Sequence, residues 1–72
     1  MKSESIKLNE GEEFIRLGDL MKLSGEFETG GQAKFAIQNG NVTVNGEICT
    51  MRGRKMRRGD KAVYNGKCFE VC

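Results

Sequence analysis

Residues Thr29 to Gly46 read TGGQAKFAIQNGNVTVNG, and this stretch decides how the chain can fold. Thr29 and Gln32 form a capping box, in which the Thr hydroxyl accepts from the Gln32 N–H and the Gln side chain reaches back. The apolar residues that follow have helical spacing, so the pattern predicts a helix over residues 30–39. Gly40 is placed to end it, because glycine readily adopts the left-handed conformation of a C-terminal cap. The predicted buried face of this helix carries Ala33, Ala36 and Ile37.

The end of the same stretch predicts a β-hairpin. Val42 and Val44 alternate with a polar residue, as in a strand with one buried face. Asn45-Gly46 is the strongest short signal for a two-residue type I′ turn. A second Asn-Gly pair, at residues 65 and 66, lies between two further strand-forming runs. The predicted strands are Val42–Val44, Glu47–Cys49, Ala62–Tyr64 and Lys67–Val71.

The segment before Thr29 predicts a short strand over residues 12–17 and a short helix over 18–24. Residues 17, 20, 21 and 24 follow the i, i+3, i+4, i+7 spacing, Leu23 widens the apolar stripe, and Gly25 is placed to end the helix. Neither helix is long enough to be stable alone, so both must pack on one face of the sheet. The predicted fold class is α+β: two short helices packed on a small, mostly antiparallel sheet of hairpins.

Chain length and N-terminal composition predict the domain organisation. The 72 residues make one small domain, and a chain of about this size buries only about 60% of its unfolded surface. Residues 1–11 are polar and show no hydrophobic pattern. We therefore expect a flexible N-terminal segment over 1–11 and a single domain over 12–72.

Positive charge is concentrated in the loop between the two predicted hairpins. Of the ten residues from 52 to 61, six are Lys or Arg and only Asp60 is acidic. Residues 1–31 carry four basic and seven acidic side chains, a net −3, whereas residues 32–72 carry eight and three, a net +5. Such a dense cluster repels itself, so it favours a polyanionic partner, with RNA or DNA phosphate first. The cations of this loop are Arg52, Arg54, Lys55, Arg57, Arg58 and Lys61.

The order of these signals resembles the S-four RNA-binding domain, also called the αL motif. The resemblance covers about residues 14–64 and depends on the ordered set, since no single motif in it is specific. Two positions depart from the family pattern: Thr29-Gly30 stands where the family has Ser-Arg, and Gly18 where it has Asp. The matching segments are Arg16-Leu17, Gly25, Gln32-Ala33-Lys34, Gly40-Asn41-Val42-Thr43-Val44-Asn45-Gly46, Arg52-Gly53-Arg54-Lys55 and Gly59-Asp60-Lys61.

The resemblance implies a noncatalytic module that docks on structured RNA, ribosomal or tRNA-like. The docking face would be formed by the second helix and the Arg52–Lys61 loop. Gly30 and Gly31 lie in the first turn of that helix, where a phosphate can approach unpaired N–H groups closely. Besides the six loop cations, the expected RNA-binding residues are Lys34, Gly30, Gly31, Arg16 and Lys22.

We expect little base stacking, because most aromatic side chains are predicted to lie in the core. Phe35 is predicted to widen the buried face of the second helix or to pack at its edge. Tyr64, beside the second Asn-Gly turn, is the one aromatic residue for which base contact stays open.

Other function classes lack the residues that they need. The chain has no histidine, and three cysteines are fewer than the four ligands of a structural zinc site, so we predict no catalytic residue, cofactor or metal. No signal peptide and no run of roughly 20 apolar residues is present, so we expect a cytoplasmic protein without membrane contact. We further expect a monomer without a small-molecule substrate. Two alternatives stay open: an adaptor whose basic face binds an acidic protein surface, and a duplex DNA binder.

Overall fold

The computed structural model describes residues 2–72 and confirms the predicted α+β class. Two helices pack on a five-stranded sheet with the strand order β1-β7-β6-β3-β4, and a two-stranded sheet pairs β2 with β5. All neighbouring strands are antiparallel except β1 and β7, which are parallel. The elements are β1 Lys2–Ile6, β2 Ile15–Arg16, α1 Leu17–Leu23, α2 Gly30–Gln38, β3 Val42–Val44, β4 Glu47–Ile48, β5 Lys55–Met56, β6 Lys61–Tyr64 and β7 Lys67–Val71.

The predicted Thr29 cap of α2 and both predicted turns are confirmed, although the Gln32 side chain reaches back to Glu28 and not to Thr29. The Gln32 N–H donates to Thr29 Oγ1 at 3.2 Å, and the Gln32 side chain accepts from the N–H of Glu28 at 2.9 Å. Asn45 and Asn65 both have a φ of 52°, followed by glycines with φ values of 88° and 76°. Positive φ at both central residues defines the type I′ turn that Asn-Gly favours.

The core lies between the helices and one face of the five-stranded sheet. Phe69 on β7 is fully buried, and Met56 joins the core from the two-stranded sheet. Both helices bury the apolar residues at the centre of the predicted buried face. The buried face of each helix is narrower than predicted, because the apolar residue at its edge is exposed. Leu23 is 64% exposed and Phe35 is 68% exposed. The other fully buried large side chains are Leu17, Leu20, Met21, Ile37, Val42 and Val71.

Strand β1 corrects the expectation for residues 1–11, of which the structure describes 2–11. Lys2–Ile6 runs parallel to β7 and places Ile6 opposite Val71. Leu8 is only 6% exposed and belongs to the core, and its N–H donates to the Cys72 carbonyl at 3.0 Å. An edge strand of this kind depends on backbone hydrogen bonds, which leave no hydrophobic pattern in the sequence. The sheet therefore begins before residue 12.

The segment before α1 and the basic loop also differ from the sequence prediction, because each contributes a two-residue strand to a separate small sheet. Of the strand predicted over 12–17, only Ile15–Arg16 forms, and it pairs with β5 inside the loop.

No helix within residues 2–72 is long and apolar enough to cross a membrane.

Candidate nucleic-acid interface

The start of the basic loop is attached to the beginning of α1. The N–H of Gly18 donates to the carbonyl of Arg52 at 2.9 Å, and that of Leu17 donates to the carbonyl of Arg54 at 2.8 Å. The first N–H groups of a helix have no partner inside it, and α1 has no side-chain N-cap. A Cβ at Gly18 would lie 3.4 Å from both Cβ and the carbonyl oxygen of Arg52. Backbone contacts therefore fix Arg52 against α1.

Pairing between β2 and β5 fixes the next part of the loop. Arg16 lies opposite Lys55, and Ile15 lies opposite the fully buried Met56. The Lys55 ammonium also lies over the Phe14 ring, 5.0 Å from its centroid. Met56 thus anchors the loop in the core, and the ring contact holds the Lys55 ammonium at Phe14.

These contacts build a cleft, here called the cationic cleft, between α1, the N-terminus of α2 and the loop. Its volume is about 390 Å³. Four cationic side chains and one acidic side chain line it. Asp19 and Lys22 approach within 3.9 Å, but both are more than half exposed, so this pair offsets little of the positive charge. The cleft is lined by Arg16, Gly18, Asp19, Lys22, Gly30, Gly31, Lys34, Arg52 and Gly53.

The two glycines at the start of α2 have different surroundings. A Cβ at Gly30 would lie 2.7 Å from Cε of Lys22, whereas a Cβ at Gly31 would meet only Thr29 Oγ1, at 3.8 Å. The missing side chain at Gly30 therefore lets Lys22 lie across the first turn of α2. Glu26, four residues after Lys22, pairs with Lys67.

The structure brings together six of the eleven predicted site residues in the cationic cleft. The loop cations beyond Arg52 do not line the cleft. Arg54 lines a different groove beside the β3–β4 hairpin. The cleft collects Arg16, Lys22, Gly30, Gly31, Lys34 and Arg52; the outside residues are Arg54, Lys55, Arg57, Arg58 and Lys61.

Asp60 holds the second half of the loop in a turn. Its Oδ2 accepts from the N–H of Arg57 at 2.8 Å. This backbone hydrogen bond, followed by one from the Asn45 side chain, lowers the pKa of the Asp60 carboxyl below its usual value. The exposed side chains of Arg57 and Arg58 therefore project from an ordered turn.

Sequence reasoning missed part of the surface beside the cleft. Only Phe69 among the aromatic residues is fully buried; Phe14, Phe27 and Tyr64 are half-buried, and Phe35 is largely exposed. The spacing of Phe35 from Ile37 could have shown that it lies on a different face of α2. The cleft is also lined by three residues that were not predicted as site residues, Gly18, Asp19 and Gly53.

The three cysteines are free, with Cys49 and Cys68 half-buried and Cys72 exposed. Within residues 2–72, no group of three or more potential ligands is arranged around a metal site.

Comparison with known proteins gives a consistent set of relatives. The family model described as "S4 domain" matches residues 2–72 and so includes β1. The "Putative RNA-binding protein YbcJ" of Escherichia coli (strain K12) is 39% identical over 57 residues, which cover 79% of this chain and 81% of that protein. The "Probable ribosome maturation protein RlbA" of Bacillus subtilis (strain 168) is 39% identical over 54 residues, covering 75% and 76%.

A solved structure shows the same fold. The solution structure of YbcJ from E. coli, described as revealing an αL motif involved in RNA binding, matches with a TM-score of 0.67 and 34% identity. The match covers 93% of this chain and 84% of that one.

Proposed function

The chain belongs to the S4 domain family, and from this premise we propose that it is a noncatalytic RNA-binding module. In this proposal the cationic cleft holds the phosphate backbone of a structured RNA. The observation that carries the proposal is the gathering of Arg16, Lys22, Lys34 and Arg52 around one concave surface with Asp19 as the only acid.

The residues of the cleft suit phosphate recognition in complementary ways. Arg16 and Arg52 present planar guanidinium groups that bind phosphate oxygens in a bidentate manner, whereas Lys22 and Lys34 act as point charges. Gly30 and Gly31 expose the first N–H groups of α2, and the helix dipole there favours an anion. The loop cations outside the cleft, such as Arg57 and Arg58, would add to the positive field that steers RNA to the site.

We propose ribosomal RNA, a ribosome precursor or a tRNA-like fold as the target, bound by the monomer. The names of the two relatives support this choice, because one is called an RNA-binding protein and the other a ribosome maturation protein. The modest size and fixed shape of the cleft favour recognition of the RNA backbone and its form over reading of long sequences.

The test is fluorescence anisotropy of a labelled ribosomal RNA hairpin, a single-stranded RNA and a DNA duplex, each over a salt series. If the four cations of the cleft contact phosphates, the log–log slope of affinity against salt for the hairpin should be about −3 to −4. The double variant Lys34→Gln/Arg52→Gln should make this slope less steep by about 2, since each lost phosphate contact removes about 1.

The matched control is the double variant Arg57→Gln/Arg58→Gln, which removes the same charge outside the cleft. A smaller change in this control supports a specific role for the cleft. Equal losses in both variants, or equal binding of all three nucleic acids, would show that net charge alone acts. Weak RNA binding with tight binding of an acidic protein would favour the adaptor alternative.

A further inference from the structure

We propose that a second groove stacks one unpaired nucleobase of the same RNA; this inference rests on the proposed function. The groove, here called the aromatic groove, lies beside the cationic cleft. The aromatic residues that line it are Phe27, Phe35 and Tyr64, and its other lining residues include Gly31, Gln32 and Asn41.

The aromatic groove combines a fixed platform with an exposed ring. The rings of Phe27 and Tyr64 are tilted by 42° with centroids 4.8 Å apart, and both pack partly against the core. Phe35 on α2 is 68% exposed. A large aromatic side chain that the core does not need is a natural stacking surface, because every base has a π face.

The two grooves meet at the first turn of α2. Gly31 lines both of them. Phe35 follows Gly31 by four residues, one helical turn of about 5.4 Å, and long helical side chains point back toward the N-terminus. An RNA strand with a phosphate at the start of α2 therefore has a base within reach of Phe35. This continuity favours a nucleobase over an unrelated apolar partner.

The polar groups of the aromatic groove fit the same occupant. The exposed amide of Asn41 offers both a donor and an acceptor for the edge of a base. The carboxylate of Glu26, the acid of this groove, pairs with Lys67, which reduces its repulsion of a nearby phosphate. Bases in a duplex do not expose a face, so the groove selects a nucleotide from a loop or a bulge. The proposal thus assigns one stacking site to a chain whose sequence predicts little base stacking.

The test uses Tyr64 as its own reporter. It is the only tyrosine and the chain has no tryptophan, so its emission reports on the aromatic groove without a label. Two RNA hairpins share one stem; one has a loop of adenosines, and the other has the same loop without bases. We expect the adenosine hairpin to quench Tyr64 emission and the abasic hairpin to leave it nearly unchanged.

Phe35→Ala should weaken binding of the adenosine hairpin by about 5- to 150-fold, the range measured for loss of one base–aromatic stack. Binding of the abasic hairpin should not change. Leu23→Ala is the matched control, because Leu23 is exposed to a similar extent, 64%, on α1. The thermal midpoints of both variants, measured by circular dichroism, should stay near that of the wild type.

Equal affinity of wild type and Phe35→Ala for the adenosine hairpin would overturn the inference and leave the proposed function intact. An equal loss for both hairpins would also overturn it. If wild type self-associates and Phe35→Ala does not, while RNA binding is unchanged, the groove belongs to a second copy of the chain. Failure of the wild type to bind either hairpin would overturn the proposed function and the inference with it.

Discussion

The side-chain amide of Asn45 donates a hydrogen bond of 3.1 Å to Oδ1 of Asp60, 15 residues later in the chain. The other end of the Asn45 amide accepts from the N–H of Lys61 at 3.0 Å. Asp60 also accepts from the N–H of Arg57 through its second oxygen. The turn of the first hairpin therefore clamps the end of the basic loop, so an exposed loop rich in like charges has a defined path.

The clamp predicts different effects for the same substitution in the two hairpin turns. Asn45→Gly keeps a residue that tolerates positive φ but removes two side-chain hydrogen bonds, so the free energy of unfolding should fall by about 1 kcal/mol. Asn65→Gly is the matched control, because Asn65 has the same φ of 52° and, within residues 2–72, no side-chain hydrogen bond. Its effect should be near zero. Urea denaturation measures the free energy of unfolding of both variants. Equal effects would contradict a stabilising role for the hydrogen bonds of Asn45 to Asp60 and Lys61.

The loss of folding stability at acidic pH should depend on Asp60. Its pKa is lowered in the folded state, first by the backbone hydrogen bond from Arg57 and then by the Asn45 side chain. A depressed folded-state pKa gives stability that is present above the unfolded value of about 3.8 and is lost as pH falls through the folded value. We expect the urea midpoint of wild type to exceed that of Asp60→Asn at neutral pH and to approach it at lower pH. If the urea midpoints of wild type and Asp60→Asn differ by the same amount at every pH, the ionised Asp60 carboxylate is not the source of this stability.

Local signals predicted most of the fold because they act within a few residues. The Thr29–Gln32 cap fixes where α2 begins, and the two Asn-Gly turns fix the register of both hairpins. Strand β1 could not be predicted in this way, because its partner β7 is more than 60 residues away in sequence and the pairing uses backbone groups.

The candidate site was predicted less completely than the fold, for a related reason. Charge density marks the whole Arg52–Lys61 loop, but only tertiary contacts decide which of its cations face α2. Arg52 reaches the cationic cleft because Gly18 donates to its carbonyl, whereas Arg54 lines another groove. Gly18, a departure from the family pattern, thus lies at a close contact between the loop and α1, where a Cβ would be 3.4 Å from Arg52.

The contribution of the Glu26–Lys67 ion pair to thermal stability should be measurable at alkaline pH. The hydrogen bond that the Lys67 ammonium donates to the Glu26 carboxylate raises the pKa of Lys67 above its usual 10.5. A raised folded-state pKa gives stability that is present below the unfolded value and is lost as pH rises through the folded value. The wild type should therefore lose more thermal stability than Glu26→Gln as pH rises above about 10.

The comparison pair for this effect is Lys22–Asp19, which is longer, at 3.9 Å, and more exposed. Asp19→Asn should leave both the thermal midpoint and its alkaline pH dependence almost unchanged, because exposed pairs contribute little. If Glu26→Gln behaves as Asp19→Asn does, the Glu26–Lys67 contact does not stabilise the fold.

Gly30 should act on RNA binding through Lys22. In Gly30→Ala the new Cβ would lie 2.7 Å from Lys22 Cε, and the flexible lysine would move away before the backbone does. The fold should be as stable as the wild type or more stable by up to about 1 kcal/mol, since alanine favours helix over glycine. The salt slope of RNA affinity, measured by anisotropy, should become less steep by about 1, as for loss of one phosphate contact.

A double-mutant cycle separates this effect from a general disturbance of the helix. Lys22→Gln should change affinity little further in the Gly30→Ala background, because the ammonium group has already left the cationic cleft. In the Gly31→Ala background Lys22→Gln should keep its full effect, since a Cβ at Gly31 makes only an ordinary contact with Thr29 Oγ1 at 3.8 Å. Additive effects of Gly30→Ala and Lys22→Gln would show that the close approach of Lys22 to Gly30 has no part in RNA binding.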